Sequence, residues 1–95
     1  MNAKYVEWIK NNVDSKHCAG ECGIKSREMC DEFPELMFIE GRYYKISEDK
    51  KEAHGYGHCW CVTKDGEIID PTVAQFEDDG QGRYVPKAEL EYAFS

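Results

Sequence analysis

Hydrophobic residues recur with helical spacing in two stretches near the start of the chain. Over residues 3–13 apolar side chains recur at every fourth position in Tyr5, Ile9 and Val13, with Val6 beside this stripe and charged residues between them. This spacing predicts an amphipathic helix, with Asn2 as its cap. Small and apolar side chains recur at the same spacing over residues 22–33, which predicts a second helix that Pro34 ends. The polar residues 14–21 between them predict a loop.

The pattern changes to one typical of strands in the middle of the chain. Residues 36–46 are rich in β-branched and aromatic side chains and predict a strand, with a bend or bulge at Gly41. Residues 47–57 are charged and interrupted by glycines, which predicts a loop. A last edge strand is predicted over residues 81–85.

A β-hairpin is predicted over residues 58–70, with a three-residue connection that ends on a left-handed Gly66. In the register that this connection imposes, Trp60 lies opposite Asp70. His58 then shares a face of the hairpin with Asp70 as its diagonal neighbour, about 7–8 Å away at the backbone, a gap that long side chains close. The sequence therefore predicts that the imidazole and the carboxylate meet.

Two helices ahead of a small antiparallel sheet predict an α+β fold, in a single domain over residues 1–95. The net charge of -7 disfavours binding to nucleic acids or to anionic membranes, because both require basic surfaces. No apolar run approaches the roughly 20 residues of a membrane span. The N-terminal segment lacks the apolar core of a signal peptide, so a cytoplasmic location is expected.

Five cysteines require an explanation, and their odd number excludes a complete disulfide framework within one chain. Packing, metal binding and catalysis are the three possible uses. Cys30 lies on the apolar stripe of the second helix and is predicted to be a packing residue. Cys59 and Cys61 alternate with His58 along the strand and are predicted to pack against a helix on its other face. Cys18 is expected to be an accessible loop thiol.

A structural zinc is an alternative, because six side chains are of the types that zinc takes: His17, Cys18, Cys22, His58, Cys59 and Cys61. However, the cysteine spacings are Cys-x₃-Cys and Cys-x-Cys, with no Cys-x₂-Cys knuckle. Cys59 and Cys61 are also predicted to face away from His58. The sequence therefore predicts neither a metal nor another cofactor, and a small zinc-stabilised domain stays as an alternative.

Cys22 is the candidate nucleophile. It opens the second helix, where the helix dipole and the free N–H groups favour a thiolate. Gly20 and Gly23 on either side allow other backbone to approach closely. A thiol nucleophile also needs a base and a group that orients the base, and the hairpin supplies His58 and Asp70 for these roles.

The order of these motifs resembles the transglutaminase-like branch of the papain-like cysteine hydrolase superfamily. More specifically, the chain is similar to a group of very small proteins common in phage genomes, which share these motifs: Gly20-Glu21-Cys22, Phe33 to Leu36, Gly41-Arg42-Tyr43, His58-Cys59-Trp60, Asp65-Gly66 and Asp70 to Phe76. The resemblance covers residues 20–85. It implies a minimal papain/transglutaminase-like fold in which Cys22 is the nucleophile, His58 the base and Asp70 the orienting carboxylate.

The activity that the resemblance implies is attack of a thiolate on an amide or ester carbonyl. A hydrolase, a deamidase and an isopeptidase all use this apparatus, and the substrate would be a host protein or a small amide or ester, in the host cytoplasm if the protein is phage-encoded. Papain-like enzymes usually place a Gln upstream of the nucleophile to bind the oxyanion, and no Gln precedes Cys22. The backbone N–H of Cys22 and a second donor would replace it, with Gln75, Asn11 and Asn12 as candidates and Gln75 preferred. Trp60 is expected to be a wall of the pocket.

The missing upstream Gln and the small size support an alternative of a different class. In this interpretation the protein is a non-catalytic, phage-type binding module, which captures a host protein or a small metabolite in the Trp60 pocket.

Overall fold

The computed structural model describes residues 2–45 and 54–89. Its elements are α1 (Ala3–Asn12), α2 (Cys22–Glu32), β1 (Met37–Lys45), β2 (His54–Val62), β3 (Ile68–Ile69), a 3-10 turn (Val73–Gln75) and β4 (Arg83–Pro86). The strands form one antiparallel sheet in the order β3-β2-β1-β4, on which the two helices pack. The predicted α+β fold is therefore confirmed. In the described ranges, no helix is long and apolar enough to span a membrane.

Both helices begin where the hydrophobic pattern predicts. The side chain of Asn2 caps α1 by accepting a hydrogen bond from the backbone N–H of Lys4, at 3.0 Å. Tyr5 is the buried residue of α1, and its ring packs edge-on against Phe33 with the ring centres 5.0 Å apart. The hydroxyl of Tyr5 donates a hydrogen bond to Glu35 at 2.7 Å, so both the ring and the hydroxyl of Tyr5 have partners.

The main core lies between the helices and one face of the sheet, and its buried members come from five elements or turns: Tyr5, Met29, Leu36, Cys61 and Ile69. Met29 of α2 is fully buried, as are Cys61 of β2 and Ile69 of β3. Successive side chains of a strand point to opposite faces, so the residues beside Cys61 face away from α2. The sheet therefore separates this core from a second cluster, which contains the candidate site.

The predicted hairpin is confirmed in its register and in its turn. Val62 pairs with Ile68 and Cys61 pairs with Ile69, which brings Trp60 and Asp70 to opposite positions. Gly66 has a φ of +85°, the left-handed conformation that a residue with a Cβ rarely adopts.

The strand β2 begins at His54, four residues before the predicted start of the hairpin. Residues 54–57, predicted as part of a loop, are instead paired with residues 42–45 of β1. Pairing along the whole of β1 outweighs the local tendency of glycine to leave a strand. The remainder of that predicted loop, residues 47–53, lies outside the described residues.

No bulge occurs at Gly41. The ladder between β1 and β2 is continuous from Met37 and Val62 at one end to Lys45 and His54 at the other. Glycine is required there for a different reason. A Cβ on Gly41 would overlap the carbonyl oxygen of Val85 and lie 2.8 Å from the ring of Trp60. The close approach of β4 and Trp60 therefore explains this glycine, and the predicted bulge is wrong.

Candidate functional site

A buried histidine–carboxylate pair joins β2 to the turn after β3. Nε2 of His58 lies 2.8 Å from Oδ2 of Asp70, and the two side chains are 1% and 3% exposed. This contact confirms the prediction that the two side chains share a face of the hairpin. With the carboxylate ionised, Nε2–H donates the hydrogen bond, which fixes the tautomer and leaves Nδ1 as the acceptor nitrogen of a neutral ring.

Three further hydrogen bonds hold the Asp70 carboxylate in place. Oδ2 accepts from the Tyr84 hydroxyl at 2.7 Å. Oδ1 accepts from the backbone N–H of Thr72 at 3.1 Å and from its hydroxyl at 3.4 Å. Thr72 is fully buried. Hydrogen bonds to both oxygens therefore fix the Asp70 carboxylate, and the fixed carboxylate orients the imidazole of His58.

Tyr84 and Thr72 are site residues that the sequence analysis did not identify. The hydrogen bond from the Thr72 N–H to the side chain of Asp70, two residues earlier, forms an Asx-turn. The Asp-Pro-Thr sequence is the local signal for this turn. Tyr84 carries no such signal, because it reaches Asp70 only through the folding of β4 onto β1. Burial, and then the negative charge of Asp70 and the hydrogen bond to it, raise the pKa of Tyr84, so the hydroxyl stays a neutral donor.

Aromatic rings enclose the imidazole of His58. The Phe76 ring meets it edge-on with the centres 4.8 Å apart, and Trp60 stacks on it at 5.9 Å. Tyr43 and Tyr84 approach at 6.2 and 6.1 Å. Trp60 is only 1% exposed, and its stacked ring covers one side of the imidazole. Exclusion of water strengthens the hydrogen bond between the imidazole and the carboxylate.

A cavity of about 440 Å³ adjoins the pair on the side of the carboxylate. Its lining comes from the end of the hairpin, the 3-10 turn and the start of β4: Ile68, Asp70, Val73, Asp79, Gly80, Gly82 and Tyr84. This volume is within the range of small-molecule sites, roughly 300–1,000 Å³. Asp70 and Tyr84 therefore connect the buried pair to a space that a ligand can enter.

The thiol of Cys22 is not placed against His58. Cys22 is the first residue of α2 and is partly exposed, and the start of this helix lies against Cys59. No hydrogen bond joins Cys22 to His58 within residues 2–45 and 54–89. The physical reason is the alternation of β2: α2 packs on the face that carries Cys59 and Cys61, whereas His58 points to the other face. The predicted contact between nucleophile and base is absent from this arrangement.

Two other cysteines confirm their predicted role as packing residues, and one does not behave as predicted. Cys30 and Cys61 meet across α2 and β2, with their sulfur atoms 3.5 Å apart. Cys18 was expected to be accessible but is 1% exposed, because the loop before α2 packs onto the turn at Thr72. Its Sγ lies 3.7 Å from the carbonyl oxygen of Thr72. Burial raises the pKa of the Cys18 thiol, which makes it a poor nucleophile.

The predicted oxyanion and pocket residues do not line one pocket, and Trp60, expected as a pocket wall, is not among the residues that line the cavity. The side-chain amide of Gln75 donates to the hydroxyl of Thr72 at 2.9 Å, so it supports Asp70 and does not point toward the Cys22 thiol. Gly20 has a φ of +84° in the loop before α2. Gly23 lies against Cys59, whose sulfur would be 3.9 Å from a Cβ on that glycine.

The described residues contain no group of three or more His, Cys, Asp or Glu side chains that is arranged to hold a metal ion. Comparisons with protein-family models, with curated proteins and with solved structures gave no match. The geometry of the site is therefore the basis for any functional proposal.

Proposed function

We propose that the protein is a cysteine-dependent acyl-transfer enzyme, with Cys22 as the nucleophile, His58 as the base and Asp70 as the residue that orients the base. The buried His58–Asp70 pair is the observation that carries this proposal. An imidazole with Nε2 fixed by a carboxylate keeps Nδ1 free of hydrogen in its neutral form, which is the state that a general base needs. The four hydrogen bonds to Asp70 support the proposal, because they hold that tautomer rigidly.

In this proposal the Cys22 thiol rests on the side of β2 that carries Cys59, where the start of α2 lies. Catalysis requires Cys22 to leave this side and approach Nδ1 of His58 around the edge of β2. Cys22 is partly exposed and is the first residue of α2, so its movement disturbs one helical turn and no core contact of Met29. Movements of a terminal turn are among the least costly in a folded domain.

The proposed chemistry has two stages. His58 takes the thiol proton, and the sulfur of Cys22 forms a bond to the carbonyl carbon of an amide or ester. The bond to the leaving amine or alcohol then breaks as His58 returns the proton to it, which leaves an acyl group on Cys22. Water releases the acyl group, with His58 again as the base. Because Gln75 is held by Thr72, the backbone N–H groups at the start of α2 are the proposed oxyanion donors.

The substrate class in this proposal is an amide or ester of a protein or a small molecule, and the reaction needs no cofactor. We place the enzyme in the cytoplasm, where thiols are kept reduced.

The cavity beside Asp70 favours a second candidate, a binding module that would use this cavity and not the Trp60 pocket expected from the sequence. Its volume is about 440 Å³ and its lining carries Asp70, Asp79 and Tyr84 but no cysteine. Under this candidate the His58–Asp70 pair is a structural part of the pocket wall and Cys22 performs no chemistry. Two carboxylates in the lining suit a small cationic ligand.

The experiment that separates the two candidates is trapping of the acyl-enzyme. The protein is incubated with a panel of activated amides and esters, and the intact mass and the modified peptide are determined. The enzyme proposal predicts an acyl group on Cys22, which is lost in Cys22→Ser and retained in the matched variant Cys18→Ser, whose thiol is buried. Acylation that is distributed over several cysteines, or that persists in Cys22→Ser, contradicts the proposal and favours the binding module.

A further inference from the structure

The polar side chains that line the cavity beside Asp70 can accept hydrogen bonds from a ligand but have none to donate. Asp70 and Asp79 are carboxylates, and the hydroxyl hydrogen of Tyr84 is already donated to Asp70 at 2.7 Å. The backbone N–H of Gly82 is likewise used, because it donates to the hydroxyl of Tyr43 at 2.8 Å. The described residues of the lining include no lysine or arginine. A ligand that contacts these side chains therefore has to supply the hydrogen-bond donors itself.

Two acceptors of the lining are available to such a ligand, the carboxylate of Asp79 and the hydroxyl oxygen of Tyr84. Each oxygen of Asp70 already accepts two hydrogen bonds, which is the number that its lone pairs allow. Asp79 is exposed, and within the described ranges its carboxylate has no hydrogen bond or ion pair. A Cβ on Gly80 would lie 3.1 Å from the Tyr84 oxygen, so the glycine next to Asp79 keeps that oxygen uncovered. Asp70 therefore acts on a ligand through its charge.

The other walls of the cavity suit an apolar group. Ile68 and Val73 supply the apolar side chains of the lining, and Ile68 is 41% exposed. Small-molecule sites typically combine apolar walls with a few placed polar groups, in a volume such as the 440 Å³ of this cavity. An ammonium head on a small apolar body fits this composition, because the head supplies donors and positive charge while the body covers Ile68 and Val73.

We propose that the cavity binds a small organic ammonium ion, and that this binding and the protonation of His58 oppose each other. Nε2 of His58 lies 2.8 Å from Oδ2 of Asp70, and the cavity borders the same carboxylate. A proton on His58 and an ammonium ion in the cavity place two positive charges against one negative charge. Like charges repel more strongly beside a buried pair than in water, so each lowers the affinity for the other, and this coupling is reciprocal.

Among the described residues, the titratable groups that face the imidazole of His58 are Asp70, Tyr43 and Tyr84. Burial, and then the hydrogen bond to Asp78, raise the pKa of Tyr43, and burial raises the pKa of Tyr84, so both hydroxyls stay neutral. The phenylalanine and tryptophan rings beside the imidazole carry no titratable group. The Asp70 carboxylate is therefore the charge that the imidazole and a ligand in the cavity share.

The consequence for catalysis rests on the proposed function. A cation in the cavity favours the neutral state of His58, which is the state that takes the proton of the Cys22 thiol. Occupancy of the cavity then extends acyl transfer to lower pH. Binding of the ammonium ion itself does not depend on the enzyme proposal, because no cysteine lines the cavity.

The binding site is tested by isothermal titration calorimetry of the purified protein at about pH 8, with benzylammonium and with benzyl alcohol as a neutral probe of similar shape. We expect benzylammonium to bind at one site, about tenfold or more tightly than benzyl alcohol. Asp79→Asn should weaken benzylammonium binding about tenfold without unfolding the protein, because asparagine tolerates the φ of +53° at this exposed position. The matched variant Asp31→Asn, on the exposed side of α2, should bind as the wild type does.

The coupling is tested by repeating the benzylammonium titration at about pH 5, since an ordinary histidine becomes protonated between the two pH values. We expect the affinity to fall about tenfold in the wild type and clearly less in His58→Gln, whose folding is verified by urea unfolding. Protonation of the carboxylates alone would lower the affinity equally in both proteins.

Two results would overturn the inference. Equal binding of benzylammonium and benzyl alcohol, or unchanged benzylammonium binding in Asp79→Asn, would remove the cation site. An equal effect of pH on the wild type and His58→Gln would remove the coupling. If benzylammonium binds as expected but no acyl group is ever trapped on Cys22, the cation site stands and only the proposed function fails.

Discussion

Replacing Asp70 with Ala tests how much the Asp70 carboxylate contributes to the stability of the protein. The substitution removes the acceptor of four hydrogen bonds, from His58, from Tyr84 and twice from Thr72. Tyr84 borders the cavity and can hydrogen-bond to water after the substitution, whereas the donors of His58 and Thr72 are buried behind Asp70 and lose their charged acceptor. Each buried donor left without a partner costs about 1–3 kcal/mol. We therefore expect Asp70→Ala to lower the free energy of unfolding by about 3–5 kcal/mol.

This loss is large against the total stability of about 5–15 kcal/mol that is typical of a single domain. The assay is equilibrium unfolding in urea, followed by tryptophan fluorescence, with the m-value as a check on two-state behaviour. Tyr84→Phe removes one donor and leaves three, so we expect it to cost about 1–2 kcal/mol. Asp31→Ala, at an exposed position of α2, is the matched loss of a carboxylate and should change stability by less than about 0.5 kcal/mol. A cost below about 1 kcal/mol for Asp70→Ala would refute the reasoning.

Two further predictions concern stability away from the cavity. Gly41→Ala should lower the free energy of unfolding in urea by about 1–3 kcal/mol, because the new Cβ overlaps β4 and the ring of Trp60. Gly57→Ala should be nearly neutral, because nothing lies within 4 Å of a Cβ at that position. Equal effects of the two substitutions would contradict the packing argument. Glu35 accepts hydrogen bonds from Lys4 and Tyr5, which lower the pKa of its carboxyl from 4.5 to about 2. Its contribution is present above pH 4.5 and lost as the pH falls toward 2, so unfolding curves of Glu35→Gln and the wild type should converge over that interval.

The hairpin and its buried pair could be predicted because they depend on local information. An Asp-Gly turn sets the register, and the period of two assigns His58 and Asp70 to the same face. The position of Cys22 depends instead on which face of the sheet α2 covers. Nevertheless, the sequence contained a relevant constraint: the alternation that directs Cys59 toward a helix also directs it away from His58. The start of α2 lies against Cys59, so Cys22, the first residue of α2, lies on the same face of β2 as Cys59.

Other features of the site depend on contacts between distant parts of the chain. Tyr84 reaches Asp70 because β4 pairs with β1, and Cys18 is buried because its loop packs on Thr72. Neither residue stands in a local pattern that indicates these contacts. Gly41 shows the same limit: a glycine in a strand is compatible with a bulge or with a close approach, and only the neighbouring strands decide between them.

The central claim is that the Cys22 thiol acts with the His58–Asp70 pair, and the rate of Cys22 alkylation tests it most directly. Brief labelling with iodoacetamide near pH 6 is followed by peptide mapping in the wild type, His58→Gln and Tyr84→Phe. An ordinary cysteine is only about 0.3% thiolate at that pH, so activation by a base has a range of about a hundredfold. Both variants remove a hydrogen bond that Asp70 accepts in the wild type, but only His58→Gln removes the base.

We predict that Cys22 is alkylated faster than the other four cysteines in the wild type. This advantage should fall about tenfold or more in His58→Gln and be largely retained in Tyr84→Phe, with folding of each variant verified by urea unfolding. A Cys22 rate that is the same in His58→Gln as in the wild type, or that is no higher than the rate of Cys59, would contradict the account.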